Sequence, residues 1–526
     1  MGFKDMLTAV INHIEPLRLP AAKKAISFFA EACPPRPMAY SMFSEYVSWP
    51  GLVERRYSGR HLPPATGENA PAKPDLDAIA DLFERDEFVP CHDTSLLFPL
   101  FAQWFVDGFL RTKWEDPTKE RFFRENESNQ EIDLNQLYGS SEVQTHMLRD
   151  MGNGGRLKSR MIDGEEWPPL LFEERADGFH VRAEYARTDT SPGLYTDNNL
   201  RRIYEKWPDA DLREAWATGL EFGSATLGQS LMNVLFLREH NRVAGLISEA
   251  HPDWDDEHVF QTTRCVVTVL LLNVVMQDYI PHIARQRLDL GVPPGWAEEQ
   301  PWYRTNRMAV EFALLYRWHD LIPDEFFVRG EARSAVELVK PNKWLMKEKL
   351  RHVLVGASRT PAGRIGLRNT AKFLNMKGGA DVKRLSTDMG RCCHLASFND
   401  YREHYGLKRY KSFLELTKNK EDAAELERLY GHIDKLEWWV GLFAEYYEAP
   451  DMMGELLRMM VANDAFTQAL TNPLLSKAVF GPHTFSEVGM KVIKETKTLA
   501  DIAVRNTGLT KKQKHCVSMH VQTRGE

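Results

Sequence analysis

The stretch AVEFALLYRWHDLIP, residues 309–323, holds the residue types best suited to redox chemistry. Tyr316 and His319 are three positions apart, a spacing that on a helix projects both side chains to nearly the same side. Phe312, Leu314, Leu315 and Trp318 surround them with apolar mass. A neutral imidazole in apolar surroundings is a good haem ligand, because a dry site holds the porphyrin and excludes competing water. A phenol close to such a haem could be oxidised and then abstract hydrogen from a substrate. The same residues would equally serve as a core histidine and a core tyrosine, and the stretch alone leaves both readings open.

Helices must position these groups. Residues 96–111, LLFPLFAQWFVDGFLR, are apolar nearly all round and predict a buried helix. Residues 226–247, 259–280 and 309–318 predict three more, with Pro281, Pro293 and Pro294 interrupting the chain between the last two and Pro323 closing the last. No alternating stretch reaches the length of a β-meander, so the fold class is mainly α. Residues 34–75 carry PPRP, LPPATGE and PAKP and predict an extended surface connection. GNGGR and WPPL within 152–170 predict a loop with a short hairpin, and the Gly-rich, basic stretch 355–380 a loop over a site. Residues 1–33 form an amphipathic helical unit. Phe3, Met6, Leu7, Val10 and Ile11 share one face, and after a break near Pro16–Pro20 the residues Ala25, Ile26, Phe28, Phe29 and Ala32 form a second. That unit fits peripheral membrane contact, packing on the main domain, or homodimer contact. The remaining boundaries are a catalytic domain over 76–510 and a tail over 511–526.

Composition narrows the field only modestly. The 526 residues are 43% hydrophobic and 27% charged, with a net charge of −7, which points to no nucleic-acid partner. Basic runs such as Arg55-Arg56, Arg201-Arg202 and Lys511-Lys512 are short enough to be solvated surface. Six cysteines without a CxxC pair make no disulfide framework, and Cys392-Cys393-His394 is read as a buried reduced pair ahead of a metal tract. Reduced cysteines fit a cytoplasmic protein. No run of about 18 apolar residues predicts a membrane span, and the first residues lack the pattern of a secretory signal.

Around the His–Tyr stretch the sequence resembles cyclooxygenases, the animal prostaglandin synthases, and through them the animal haem peroxidase superfamily. EFALLYRWHDLIPDEF matches the proximal-haem segment, and YRTNRMAVEF precedes it as in that family. LFLREHNRVAGLISEAHPDWDDEHVFQTTR (235–264), AGRIGLRN (362–369), FNDYREHYGLKRYKSFLEL (398–416), DAAELERLYGHIDKLEWWVGL (422–442) and NPLLSKAVFGPHTFSEVG follow in order. YVSW (46–49), FAQWF (101–105) and IDLNQLYG (132–139) lie upstream, so the resemblance spans about residues 34–508. It implies a haem enzyme with His319 as proximal iron ligand, Trp318 beside it, Tyr316 as the radical-carrying residue and Tyr279 as its hydrogen-bonding neighbour. Leu315 and Ala465, with Thr467 nearby, fall in the implied substrate channel, Ala465 standing where the family has serine. Gln103 retains the distal glutamine.

Three departures bear on function. The distal histidine position holds Asp107. A distal group in a peroxidase must take a proton from the incoming peroxide and return it to the departing oxygen, and burial could raise a carboxylate's pKa enough for that exchange. Alternatively Asp107 merely hydrogen-bonds to water or to Gln103. The fatty-acid carboxylate site is also altered: the arginine position falls at Ser27, with Lys23 and Lys24 a turn away, and the tyrosine position at Gln286, between Arg285 and Arg287. Trp439 replaces a tyrosine behind the proximal face, and Ala225 stands where covalent-haem relatives carry an acid, implying non-covalent haem b. The leading expectation is a bacterial-type haem dioxygenase in which Tyr316 abstracts hydrogen from an unsaturated lipid before O2 adds. A haem peroxidase or peroxygenase using Asp107 on a small organic molecule is the alternative, and a haem-binding protein with little catalysis a third.

Overall fold

The computed structural model describes residues 8, 11–33, 40–41, 49, 53, 55–56, 58–113, 125–284, 288–304, 307–377 and 381–522. Helical periodicity becomes helix through most of these. The elements that frame the site are α1 (Glu15–Ala30), α2 (Leu97–Asp107), α3 (Leu227–Ala250), α4 (Asp256–Val274), α5 (Val310–Leu315), α6 (Val382–Cys392), α7 (Phe398–His404), α8 (Glu455–Leu470) and α9 (Pro482–Glu495). Each of the two long central helices opens on a side-chain cap. Thr226 accepts from the Gln229 amide ahead of α3, and Asp255 from the His258 amide ahead of α4. Strand content among the described residues is confined to two-stranded antiparallel ribbons: β1–β2 (Tyr40–Ser41, Gly59–Arg60), β4–β5 (Arg160–Ile162, Glu165–Trp167), β6–β7 (Phe172–Arg175, Gly178–Val181), β8–β9 (Glu325–Val328, Glu331–Ser334), and β3 (Pro90–Ser95) with β10 (Pro361–Gly363). The fold is mainly α, and the hairpin expected within 152–170 is β4–β5.

The packing of α2 on α3 sets the geometry of the site. In α2 every residue is buried except Gln103 and Asp107, which stand four apart and therefore share one face. Pro99 costs little because it lies in the first turn, where amides have no partner within the helix. The indole of Trp104 donates to the Asn233 side chain at 2.8 Å and ties α2 to α3. At Gly228 the two backbones approach so closely that an added Cβ would lie 2.6 Å from the Leu100 carbonyl oxygen and 3.2 Å from Oε1 of Gln103.

Four expectations need correction. The helix over 309–318 is only α5, ending at Leu315. Tyr316 and Trp318 leave helical geometry, and a 3-10 turn, His319–Leu321, follows. Tertiary contacts override propensity here: Arg85 donates to the Ile322 carbonyl at 2.8 Å, and Asp320 turns inward to Lys383 at 2.9 Å, both side chains fully buried. The helix over 259–280 closes at Val274 and rewinds as a π-helical segment, Val275–Tyr279. Pro281 has no N–H for the 277 carbonyl, which favours that rewinding. The break expected near Pro16–Pro20 falls just ahead of it, at Ile14, whose extended backbone separates the helical residues 11–13 from α1. Pro16 occupies the first turn of α1, and Pro20 lies on its solvent side while Ala22, Ile26, Phe29 and Ala30 are buried. Finally, the loop expected over 355–380 begins later: residues 355–363 finish the helix Leu350–Arg359 and form β10, while 364–377 are irregular apart from a 3-10 turn at Lys372–Leu374.

The continuous stretch Asp256–Ile283 is long and apolar enough to cross a membrane by composition, but 78% of its most apolar part is buried inside the fold, as befits a core helix.

Candidate functional site

The polar face of α2 lies within electrostatic reach of the turn after α5, where Arg317 acts on Asp107. On the α2 side Gln103 accepts from the Thr226 hydroxyl at 3.1 Å, and Asp107 accepts from the side-chain amide of Gln229 one turn into α3. Burial pushes the Asp107 carboxyl up to about 7, against opposing pulls from the Gln229 hydrogen bond and the Arg317 guanidinium. It therefore exchanges protons near neutrality, as an acid–base group requires. The alternative in which Asp107 bonds to water or to Gln103 did not include the partner it has here, Gln229.

Arg317, in the turn after α5, carries a charge that acts on both Asp107 and His319. Burial, then Lys383 and Arg317, push the His319 imidazole down to about 3. The ring is thus neutral at any physiological pH, the form that ligates metal. Its Nδ1 is buried without a hydrogen-bond partner among the described residues. Behind it Lys383 lies over Phe83 at 4.4 Å, Phe443 at 4.2 Å and Trp439 at 5.2 Å, and its ammonium is held by Asp320. These features fit haem: one helix face left open in an otherwise buried helix, a neutral imidazole with an orphaned nitrogen opposite, and aromatic walls.

Tyr316 stands at the mouth of an aromatic cage. Its ring lies 5.1 Å from Phe312 and 4.8 Å from Trp318, while Trp318 stacks on Phe98 of α2 at 6.0 Å. Tyr279, at the end of the π segment, is enclosed by Phe98, Phe101 and Phe105 at 5.2, 5.4 and 5.7 Å. The two phenols perturb each other's ionisation, and burial raises both pKa values far above the ordinary tyrosine range. The hydroxyls of Tyr279 and Tyr316 act on each other as hydrogen-bonding neighbours, although their contact falls outside strict hydrogen-bond geometry. Leu315 and Ala465 are buried, Ala465 on α8, which packs against α5.

The structure thus brings together Gln103, Asp107, Tyr279, Leu315, Tyr316, Trp318 and His319. Arg285, Gln286 and Arg287, and most of residues 1–10 and 34–57, lie outside the described residues. Ser27 and Lys23 are half-buried on α1, with Lys23 over the Trp296 ring at 5.7 Å. Sequence reading missed Gln229, Arg317 and Lys383. Gln229 carried a signal, since its place one turn into a helix packed against FAQWFVD puts it within reach of the distal residues. Lys383 carried none, because only the tertiary fold places it behind His319.

Comparison with known proteins places this architecture among haem enzymes. The animal haem peroxidase family model matches residues 99–517. Prostaglandin G/H synthase 1 of Rattus norvegicus is 32% identical over 485 residues, covering 90% of this chain and 74% of that protein. Prostaglandin G/H synthase 2 of Bos taurus is 30% identical over 469 residues, covering 87% and 72%. Among solved structures, a fatty acid alpha-dioxygenase of Oryza sativa with palmitic acid superposes with a TM-score of 0.70 at 16% identity, covering 96% of this chain and 94% of that one. Peroxidase A of Dictyostelium discoideum gives 0.68 at 17%, covering 93% and 96%. The fold is that of the haem peroxidases and dioxygenases. The chain belongs to the animal haem peroxidase family, and it is an oxidoreductase that uses haem.

Proposed function

We propose that this enzyme is an oxygenase of unsaturated lipids in which Tyr316 removes the substrate hydrogen. The observation that carries the reading is the phenol pair, Tyr316 and Tyr279, sealed in aromatic side chains beside the turn that presents His319. His319 would ligate non-covalent haem b, with Trp318 against it and Gln103 and Asp107 facing the opposite side. Haem, when bound, supplies the one-electron oxidising equivalent. Because burial keeps Tyr316 protonated, its oxidation must release the phenolic proton as the electron leaves, and the Tyr279 oxygen is the neighbouring polar atom placed to hold it. The resulting phenoxyl takes a hydrogen atom: a substrate C–H bond breaks, the tyrosine O–H bond re-forms, O2 adds to the carbon radical, and the peroxyl radical takes the hydrogen atom back from Tyr316 to give the hydroperoxide and restore the phenoxyl. Leu315 and Ala465 supply apolar walls, and a cation among Lys23, Arg285 and Arg287, with Gln286, would meet a carboxylate. The prostaglandin synthases, and the dioxygenase with palmitic acid, support a fatty-acid-like substrate. The exposed side chains of Ile14, just before α1, and of Leu17 and Phe28 on it support peripheral membrane contact.

The test is incubation of haem-loaded enzyme with a panel of unsaturated fatty acids under 18O-labelled dioxygen and under argon, with Tyr316→Phe alongside. Labelled product from wild type and none from the variant supports the reading. Identical product from both overturns it.

One observation favours a second reading. A carboxyl near pH 7 opposite His319 suits acid–base work on peroxide, so a peroxidase acting through Asp107 is the alternative. Peroxide-dependent turnover without incorporation of O2 would select it.

A further inference from the structure

Away from the candidate haem site, three side chains distant in sequence meet at the foot of α1. Cys33 follows α1, His61 follows β2, and His404 ends α7, and their ligand atoms all lie within 4.8 Å of one another. Cys33 and His61 are buried and His404 is half-buried. Cys33 Sγ is 3.9 Å from Nδ1 of His61. Two ligands of a tetrahedral zinc ion, with Zn–S near 2.3 Å and Zn–N near 2.0 Å, sit roughly 3.6 Å apart. The observed separation thus needs only a small closing movement.

The second, independent observation is on the far side of the imidazole. His61 Nε2 lies 3.4 Å from the carboxylate of Asp464 on α8, which is fully buried. A carboxylate at one ring nitrogen fixes the tautomer so that the other presents its lone pair, and here that other nitrogen faces the thiol. Metal-bound histidines are held by this arrangement. The Tyr405 hydroxyl lies 3.5 Å from both ring nitrogens, and the Cys33 thiol donates to the Asn463 side chain at 3.3 Å, a contact that metal binding would exchange for the thiolate bond. Asn463 also donates to the carbonyls of Phe29 and Ala30, tying the end of α1 to the same place.

We propose that Cys33, His61 and His404 bind a zinc ion, with Asp464 orienting His61 and a fourth position left to water. One thiolate and two imidazoles form a borderline-soft donor set, which suits zinc and disfavours magnesium or calcium. The ion would pin residues 33 and 61, the two ends of the connection after α1, to α7 and α8. The consequence reaches the redox site: the His61 amide donates to Glu311 at 3.0 Å, and Glu311 lies on α5, the helix that delivers Tyr316.

The experiment uses the full haem-loaded chain, purified under reducing conditions, exposed to zinc and freed of loose metal with a weak chelator. Zinc per chain is read by elemental mass spectrometry and its affinity by competition with a chromogenic chelator, with the Soret band reporting an intact fold. Wild type should retain a single zinc, Cys33→Ser and His404→Gln should lose it, and Asp464→Asn should weaken it by about 10–100-fold. Zinc should also protect Cys33 from alkylation. If Cys33→Ser does not fold, His404→Gln on its half-exposed side chain carries the test. Wild type without retained zinc, equal retention in the ligand variants with unchanged Soret bands, or alkylation of Cys33 at a rate indifferent to zinc would each overturn the proposal.

Discussion

Replacing Asp107 by Asn separates proton exchange from hydrogen bonding at one atom. The amide keeps the size of the carboxyl and can still meet Gln229, but it cannot take up a proton. The folded protein holds the Asp107 proton up to about 7, whereas an ordinary aspartate releases it near 3.8. Between those values the native state binds a proton that the unfolded chain has lost, so wild-type stability falls as pH rises through that window and levels off above it. The full difference corresponds to about 4 kcal/mol, an upper bound because the side chain is partly reachable by water. Asp107→Asn should therefore match wild type at pH 4, gain stability steadily toward pH 7 and hold that gain at pH 8, as read from thermal unfolding of the haem-free protein. In the haem-loaded enzyme, peroxide turnover should show an ionisation near 7 in wild type. It should fall by about 10²–10⁴-fold in the variant, the range for loss of a general acid–base group. A stability gain that does not change with pH would refute the raised pKa. Unchanged peroxide turnover would refute the proton-exchange role.

Other outcomes follow from the same geometry. His319→Ala should abolish the Soret signature of bound haem while leaving the far-ultraviolet circular dichroism intact; an unchanged Soret band would remove the ligand assignment. Tyr316→Phe should retain haem and peroxide turnover but lose lipid oxygenation, measured by oxygen uptake. Lys383→Met should cost about 3–5 kcal/mol in chemical denaturation because Asp320 is left as an uncompensated buried charge, and the double variant with Asp320→Leu should recover most of it. Gly228→Ala should push α3 from α2 at Leu100 and Gln103, lowering haem affinity in titration more than it lowers thermal stability.

What the sequence made legible follows the range over which each feature is determined. The buried helices α2, α3 and α4 announce themselves because their apolar content is local, and the Gln103–Asp107 pair is visible as two polar residues four apart in a run of Phe, Trp and Leu. The Tyr316–His319 pair was visible for a reason the structure does not bear out. Helical spacing suggested that they share a face, yet α5 stops at Leu315, and what brings the two residues to one site is a turn held by Arg85, Asp320 and Lys383. None of those three lies within 309–318, so periodicity there had no means of ending the helix correctly. The Cys33–His61–His404 cluster is the extreme case. The cysteine–histidine tract singled out in the sequence, Cys392-Cys393-His394, is absent from any such group among the described residues. The donors that do converge are separated by up to 371 positions and meet only once α1 has docked on α8. Chemistry carried by one element can be read along the chain. Chemistry assembled between elements depends on packing, and packing is where the decisive contacts of both sites arise.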